Sequence, residues 1–173
     1  MILSHTILKQ MVEATRPATW ADLLGLARDL NAEGASYALI GGYAIAAHGY
    51  NRFSEDVDLL VDPSPPNTAR WVRALAKLPD HAAAELQGDD EIFEREGHYA
   101  IRINDEFTVD IMPAACGHSW KELSPHIIQI EVEGVPLPVL SLQGLLLTKE
   151  GLRDKDKADR AVLLRALELL AKP

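Results

Sequence analysis

A glycine pair closing one apolar run and an Asp-x-Asp pair opening the next constrain this chain more than any other feature. Tyr37-Ala38-Leu39-Ile40 enters Gly41-Gly42 and is followed by the alanine-rich stretch from Tyr43 to His48. That order predicts a strand, a tight glycine turn and a short helix. Residues 55–61 then alternate acidic and apolar side chains until Asp62-Pro63 stops them, the period of a strand with one polar face. Residues two apart on a strand share a face, so Asp56 and Asp58 present two carboxylates side by side while Val57, Leu59 and Val61 turn to the core.

Adjacent like charges repel unless something cationic sits between them. Hard oxygen donors at this spacing suit Mg²⁺, or Mn²⁺, which binds one or two carboxylates together with substrate phosphates. Asp110 supplies a third carboxylate, in the otherwise apolar run Phe107-Thr108-Val109-Asp110-Ile111-Met112, where an acid is costly to bury unless it is paired or ligates an ion. If the two strands are neighbours the three acids converge. Three such acids are what a two-metal phosphoryl or nucleotidyl transfer needs. Gly41-Gly42 is the other half, because a glycine turn opening a helix lets backbone N–H groups approach phosphate oxygens.

The remaining elements predict a small mixed sheet with helices packed against it, an α+β fold. Residues 19–32 carry apolar side chains at three- and four-residue steps, with Thr19 as N-cap and Gly34 as the stop. Residues 63–66 read as a turn and 68–78 as a second helix, closed by Pro79. Residues 91–95, 98–103 and 107–112 read as three short strands in a meander, with turns at Gly97 and Asn104-Asp105. Residues 127–132 and 135–140 read as a hairpin across Glu133-Gly134, and its prolines place it at an edge of the sheet. Ser141 caps a helix to about residue 152, and a last helix runs over 155–171. With 173 residues and no repeat or linker, the expectation is a single domain over 1–173, with an α/β core at about 19–140 and C-terminal helices at 141–173.

Acidic residues number 26 against 17 basic ones, a formal charge of −9, so an extended DNA-binding groove is not expected. A nucleotide or a nucleic-acid end stays accessible if a bound cation offsets the local charge. Cys116 is the only cysteine, which excludes an intrachain disulfide framework and a cysteine-based zinc site, and it reads as a small buried residue. Residues 1–11 lack a signal-peptide pattern, and the longest uncharged stretch, 35–51, is broken by glycines and too short to span a bilayer. The expected location is the cytoplasm.

Ile40-Gly41-Gly42, a spacer of thirteen residues and Asp56-Val57-Asp58-Leu59 resemble the signature of the DNA polymerase β-like nucleotidyltransferase superfamily. The fuller run through Ala47-His48-Gly49, Arg52, Ser54 and Leu60-Val61 looks like the small bacterial nucleotidyltransferases of the abortive-infection (AbiEii) toxin type. Leu142, Leu146, Lys149, Arg153, Asp154-Lys155-Asp156 and Asp159 resemble that group's C-terminal helical pattern. The resemblance implies Asp56, Asp58 and Asp110 as catalytic metal ligands, with Asp110 also a base for the acceptor hydroxyl. It implies Gly41 and Gly42 at the triphosphate, Lys149 as a phosphate contact, and Arg52 and Ser54 within the nucleotide site. Ser54 stands where Thr is commoner. The implied activity is Mg²⁺-dependent transfer of an NMP from an NTP such as ATP to a tRNA end or a protein, by the toxin of a toxin–antitoxin pair with an antitoxin as partner. A small-molecule (antibiotic) nucleotidyltransferase, a non-catalytic nucleotide-binding module and an acidic metal-binding domain unrelated to nucleotides are the alternatives.

Each of these residues has a plainer reading. Asp56 and Asp58 fit a solvated edge strand, and Asp110 a strand-end acid bonded to a turn. Arg52 fits equally an ion pair with a nearby acid such as Glu55. The run Lys149, Arg153, Lys155, Lys157 and Arg160, mixed with Glu150, Asp154, Asp156 and Asp159, fits a solvated helix face, against a functional reading as a basic patch for triphosphate or a tRNA end with Lys149 as its best member. His48 and the tryptophans Trp20, Trp71 and Trp120 read as packing residues.

Overall fold

A computed structural model describes residues 15–96, 100–151 and 153–173. Residues 1–11, the turn at Gly97 and the start of the strand expected from 98 therefore lie outside the described residues, while the helix expected to run from Ser141 to about residue 152 ends earlier, at Leu147, where Thr148 caps it. Helix α1 (Trp20–Ala32) begins on a capping box in which Thr19 accepts from the backbone of Asp22 and the Asp22 carboxylate accepts from the backbone of Thr19. Strand β1 (Tyr37–Ile40) runs directly into helix α2 (Gly41–Ala47), which starts on the glycines themselves. Strand β2 (Val57–Val61) follows. Helix α3 (Pro65–Leu75) begins three residues earlier than the periodicity suggests, since Pro65 and Pro66 fit the first helical turn, where a missing N–H costs nothing.

Beyond α3 the chain forms the short helix α4 (Ile92–Glu96), then β3 (Ile101–Asn104), β4 (Thr108–Met112) and a small hairpin of β5 (Ala114–Ala115) and β6 (His118–Ser119). Helix α5 (Trp120–Leu123), the hairpin β7 (Ile127–Val132) and β8 (Val135–Leu140), α6 (Leu142–Leu147) and α7 (Asp154–Leu170) complete it. The main sheet has the order β3-β4-β2-β1-β8-β7, with β2–β4 and β1–β8 parallel and the other pairs antiparallel. This is the mixed α+β sheet expected. Leu59 and Leu60 point to opposite faces of β2 and both are fully buried, so both faces of the central strand are covered there.

Three expectations are corrected. Residues 91–95 form a helical turn: Glu94 and Arg95 donate back to the carbonyl of Glu91, and Phe93 packs on the buried Trp71 with ring centroids 6.0 Å apart. Five residues are too few to reveal a period. The proline-bearing strand β8 is not the edge; it lies between β1 and β7. It tolerates Pro136 there because its ladder with β1 has a single register pair, Leu39 with Val139, and the Pro136 carbonyl accepts from the Asn31 side chain at 2.8 Å. Cys116 is exposed, in the left-handed region (φ 49°) at the β5–β6 turn. Of the tryptophans, Trp71 is fully buried, whereas Trp20 is part-exposed and meets Tyr43 edge-on.

Candidate active site

The sheet register builds the centre of the site. Asp58 of β2 is the Cα partner of Asp110 of β4, and Asp110 is the partner of Arg102 of β3, so the three side chains form a row across adjacent strands on one face. Ile40, the last residue before the glycines, is the partner of Asp58 on the other side. Asp56 does not belong to the strand as expected. It sits in the bend just before β2 and still lines the same cleft. The cleft encloses about 680 Å³, the size of a small-molecule site.

Gly41 is tied to Asp58 more tightly than its spacing suggests. It has φ +71°, and a Cβ there would lie 2.2 Å from Asp58 Oδ2. The missing side chain is the space the carboxylate occupies. Gly42 likewise makes room for Ser54, whose Cβ would lie 2.8 Å from an added one, and Ser54 Oγ donates to the Asp56 carbonyl at 2.9 Å. The glycine turn and the loop before β2 are thus fitted to each other. That fit places the aspartates.

Arg102 grips Asp110 with both arms of its guanidinium, Nε to Oδ1 and Nη2 to Oδ2, each at 2.9 Å, and Nη2 reaches Asp56 Oδ2 at 3.4 Å. Among the described residues Asp58 has no such partner, and burial, then the Asp110 charge, push its carboxyl up to about 6 despite the opposing fields of Lys149 and Lys155. Among the described residues no group of three His, Cys, Asp or Glu side chains is gathered to hold an ion as it stands. The guanidinium occupies the space between two of the acids.

Three cations that line the cleft, Arg52, Lys149 and Arg153, belong to a charge cluster built on buried acids. Asp156 and Asp159, three apart and so on one face of α7, are both buried rather than solvated. Asp159 accepts from Arg52 Nε at 2.8 Å and from Lys149 Nζ at 3.1 Å; Asp156 pairs with Arg153 at 2.8 Å and with Lys149 at 3.6 Å. Arg52 thus pairs across 107 residues with Asp159 rather than with Glu55, and it also donates to the Phe53 carbonyl. Phe53 itself is 70% exposed at the cleft. Burial would raise Asp159, but Arg52 and Lys149 outweigh it and hold the acid below its usual range. A depressed folded-state value means stability that is present above the unfolded value and lost on acidification. Asp159→Ala is therefore expected to destabilise the fold by about 3 kcal/mol near neutral pH. Urea unfolding of both proteins checks it, and the difference should shrink as the pH falls below about 4.

Arg102 is the site residue that the sequence pattern does not single out, whereas Arg153, Lys155, Asp156 and Asp159 are marked there as part of the C-terminal pattern and of a mixed-charge helix face. Arg102 takes its place only from the observed register of the β3–β4 hairpin, which sets position 102 across from 110. His48 packs as expected, its Nε2 2.8 Å from the Leu140 carbonyl.

Comparison with known proteins fits this architecture. The chain is similar to a provisionally named nucleotidyltransferase from Thermotoga maritima, with a TM-score of 0.55 at 14% identity, over 92% of this chain and 98% of that one. An antigenic nucleotidyltransferase-like protein from Paracoccidioides brasiliensis matches at a TM-score of 0.42 and 16% identity, over 95% of this chain and 78% of that one. A comparison with curated proteins found no match. The fold is that of a nucleotidyltransferase. The family described as "Nucleotidyl transferase AbiEii toxin, Type IV TA system" matches residues 25–149, and the chain belongs to this family of nucleotidyltransferases. Among the described residues no helix is long and apolar enough to cross a membrane.

Proposed function

We propose that the chain is a cytoplasmic, divalent-metal-dependent enzyme that transfers an NMP from an NTP such as ATP to a hydroxyl on a tRNA end or a protein. In this reading it is the toxin partner of an antitoxin. The observation that carries the reading is the juxtaposition of Asp56, Asp58 and Asp110 with the Gly41-Gly42 turn in one cleft that also gathers Arg52, Lys149, Arg153 and Lys155. In a chain of net charge −9, cations concentrated at one cleft mark it as the place for an anionic substrate.

The donor set fits Mg²⁺ or Mn²⁺, since it is three hard carboxylates and one of them, Asp58, is held up to about 6 by burial and by the Asp110 charge even with Lys149 and Lys155 nearby. Bound there by Asp56, Asp58 and Asp110, the ion supplies positive charge that lowers the pKa of the acceptor hydroxyl and steadies the leaving pyrophosphate. The chain's own residues do the rest. Backbone N–H groups at Gly41 and Gly42 face phosphate oxygens; Lys149, Arg153 and Lys155 offset the triphosphate charge. The acceptor oxygen attacks the α-phosphorus, its proton passes to Asp110, and the bond from that phosphorus to the β-bridging oxygen breaks as pyrophosphate leaves. Orientation and charge stabilisation carry the rate.

The test is incubation with each α-³²P-labelled NTP, Mg²⁺ and either total tRNA or cell lysate. Label on RNA or protein that depends on Mg²⁺ supports the reading. Label appearing only on small molecules points to an antibiotic-type acceptor, and Mg-NTP binding without transfer of label to anything would sink the enzymatic claim.

A further inference from the structure

The row of paired residues at the cleft ends in a cation that no catalytic role yet uses. Arg102 lies on β3, the edge strand, opposite Asp110 by register, so its meeting with that acid is built into the sheet. Its guanidinium holds both Asp110 oxygens at 2.9 Å and reaches Asp56 at 3.4 Å, while the side chain is 59% exposed. A two-armed grip takes up the same in-plane oxygen positions that a divalent ion needs. Two of the three acids assigned to the ion thus already carry a cation. The third, Asp58, makes no ion pair among the described residues.

The arginine end of this pair is 59% exposed although Asp110 is only 13% exposed, so solvent screens the guanidinium and limits what the pair contributes to fold stability. Arg stays charged at any working pH, so it leaves the acids by swinging away rather than by losing its proton. Its exposed side chain on an edge strand leaves it room to swing. The released guanidinium would stand at the rim of a cleft whose substrate is polyanionic.

We infer that Arg102 is a resident counter-cation: it holds Asp110 and Asp56 in the ion-free protein, is displaced when the divalent ion arrives, and then binds phosphate oxygens of the incoming triphosphate. It is a substrate-binding residue as well as a competitor of the ion. The inference rests on the reading of Asp56, Asp58 and Asp110 as ion ligands. Its two halves predict effects of opposite sign from one substitution, which a merely structural ion pair does not.

Two probes separate the halves. Free Mn²⁺ is titrated by electron paramagnetic resonance against the natural protein, Arg102→Gln and Asp58→Ala, without nucleotide. Inorganic tripolyphosphate with Mg²⁺ is titrated calorimetrically, which avoids the unknown base. Arg102→Gln is expected to bind Mn²⁺ alone roughly tenfold more tightly and Mg-tripolyphosphate roughly tenfold more weakly, with Arg102→Lys in between. Mn²⁺ affinity that is unchanged or weaker in Arg102→Gln, while Asp58→Ala still abolishes Mn²⁺ binding, overturns the inference and leaves the metal site standing. Mn²⁺ binding that Asp58→Ala does not touch overturns the metal reading and this inference with it. Unchanged tripolyphosphate affinity in Arg102→Gln overturns the phosphate half.

Discussion

Asp58→Asn is expected to yield a protein that is harder to unfold than the natural chain and unable to transfer a nucleotide. Burial, then the neighbouring charge of Asp110, raise the Asp58 carboxyl from 3.8 to about 6. A raised folded-state value means that the stability linked to this group is complete below the unfolded value and is lost as pH rises through the folded one. Between about pH 4 and pH 6 the unfolded chain gives up this proton while the folded chain keeps it. Above that window the folded protein carries a charge that its cleft disfavours. Asn copies the protonated side chain in shape and neutrality, so at about pH 8 it should gain on the order of 2–3 kcal/mol, a rise in Tm of roughly 5–10 °C. The gain should vanish below about pH 4, where both side chains are neutral.

In the proposed mechanism the same change removes a ligand of the ion, and transfer is expected to fall by roughly a thousandfold or more. Added Mg²⁺ should then stabilise the natural protein but not the variant, closing the gap in Tm. Thermal melts at several pH values, with and without Mg²⁺, run beside the labelling assay, give all three readouts. A variant that melts at or below the natural protein at high pH would show that the cleft does not penalise the Asp58 charge. Stability given up for function at one residue is the pattern expected of an active site.

The parts of this protein that were legible in advance are those whose cause is local. The Thr19 N-cap, the Glu133-Gly134 hairpin and the strand–glycine–helix order at residues 37–47 each follow from backbone demands within a few residues. Asp58 and Asp110 were also legible as a pair, because period and composition marked β2 and β4 and the two strands are in fact neighbours, while Asp56 reaches the same cleft from the bend before β2 and not from the strand. What escaped depends on distant partners. Alternating charges on α7 look the same in sequence whether they meet water or Arg52 more than a hundred residues away. The interior position of β8 follows from the order of strands in the sheet, to which its prolines are no guide. Arg102 was overlooked because an arginine among apolar residues on a short strand carries no signal until the hairpin register sets it against Asp110.

The link between the glycines and the acids gives the second large effect. Gly41→Ala is expected to destabilise the protein by about 3–5 kcal/mol and to abolish transfer, from two separable causes. The first is backbone strain: at φ +71° a residue with a Cβ costs about 1–2 kcal/mol. The second is collision, since the added methyl would lie 2.2 Å from Asp58 Oδ2 and 2.9 Å from Cγ. Asp58 sits on β2 between fully buried Val57 and Leu59, so its backbone has little room to withdraw. A double-mutant cycle divides the two. In an Asp58→Ala background the carboxylate is gone, and Gly41→Ala should cost the strain and the remaining close contact with the Cβ at 58, 3.0 Å away, leaving a coupling of about 2 kcal/mol between the positions. Equal costs in both backgrounds would mean that Gly41 is needed for its φ angle alone. The predicted coupling would mean that the fixed spacing between Gly41 and Asp58 is a steric requirement of the folded chain, met before any phosphate or metal ion arrives.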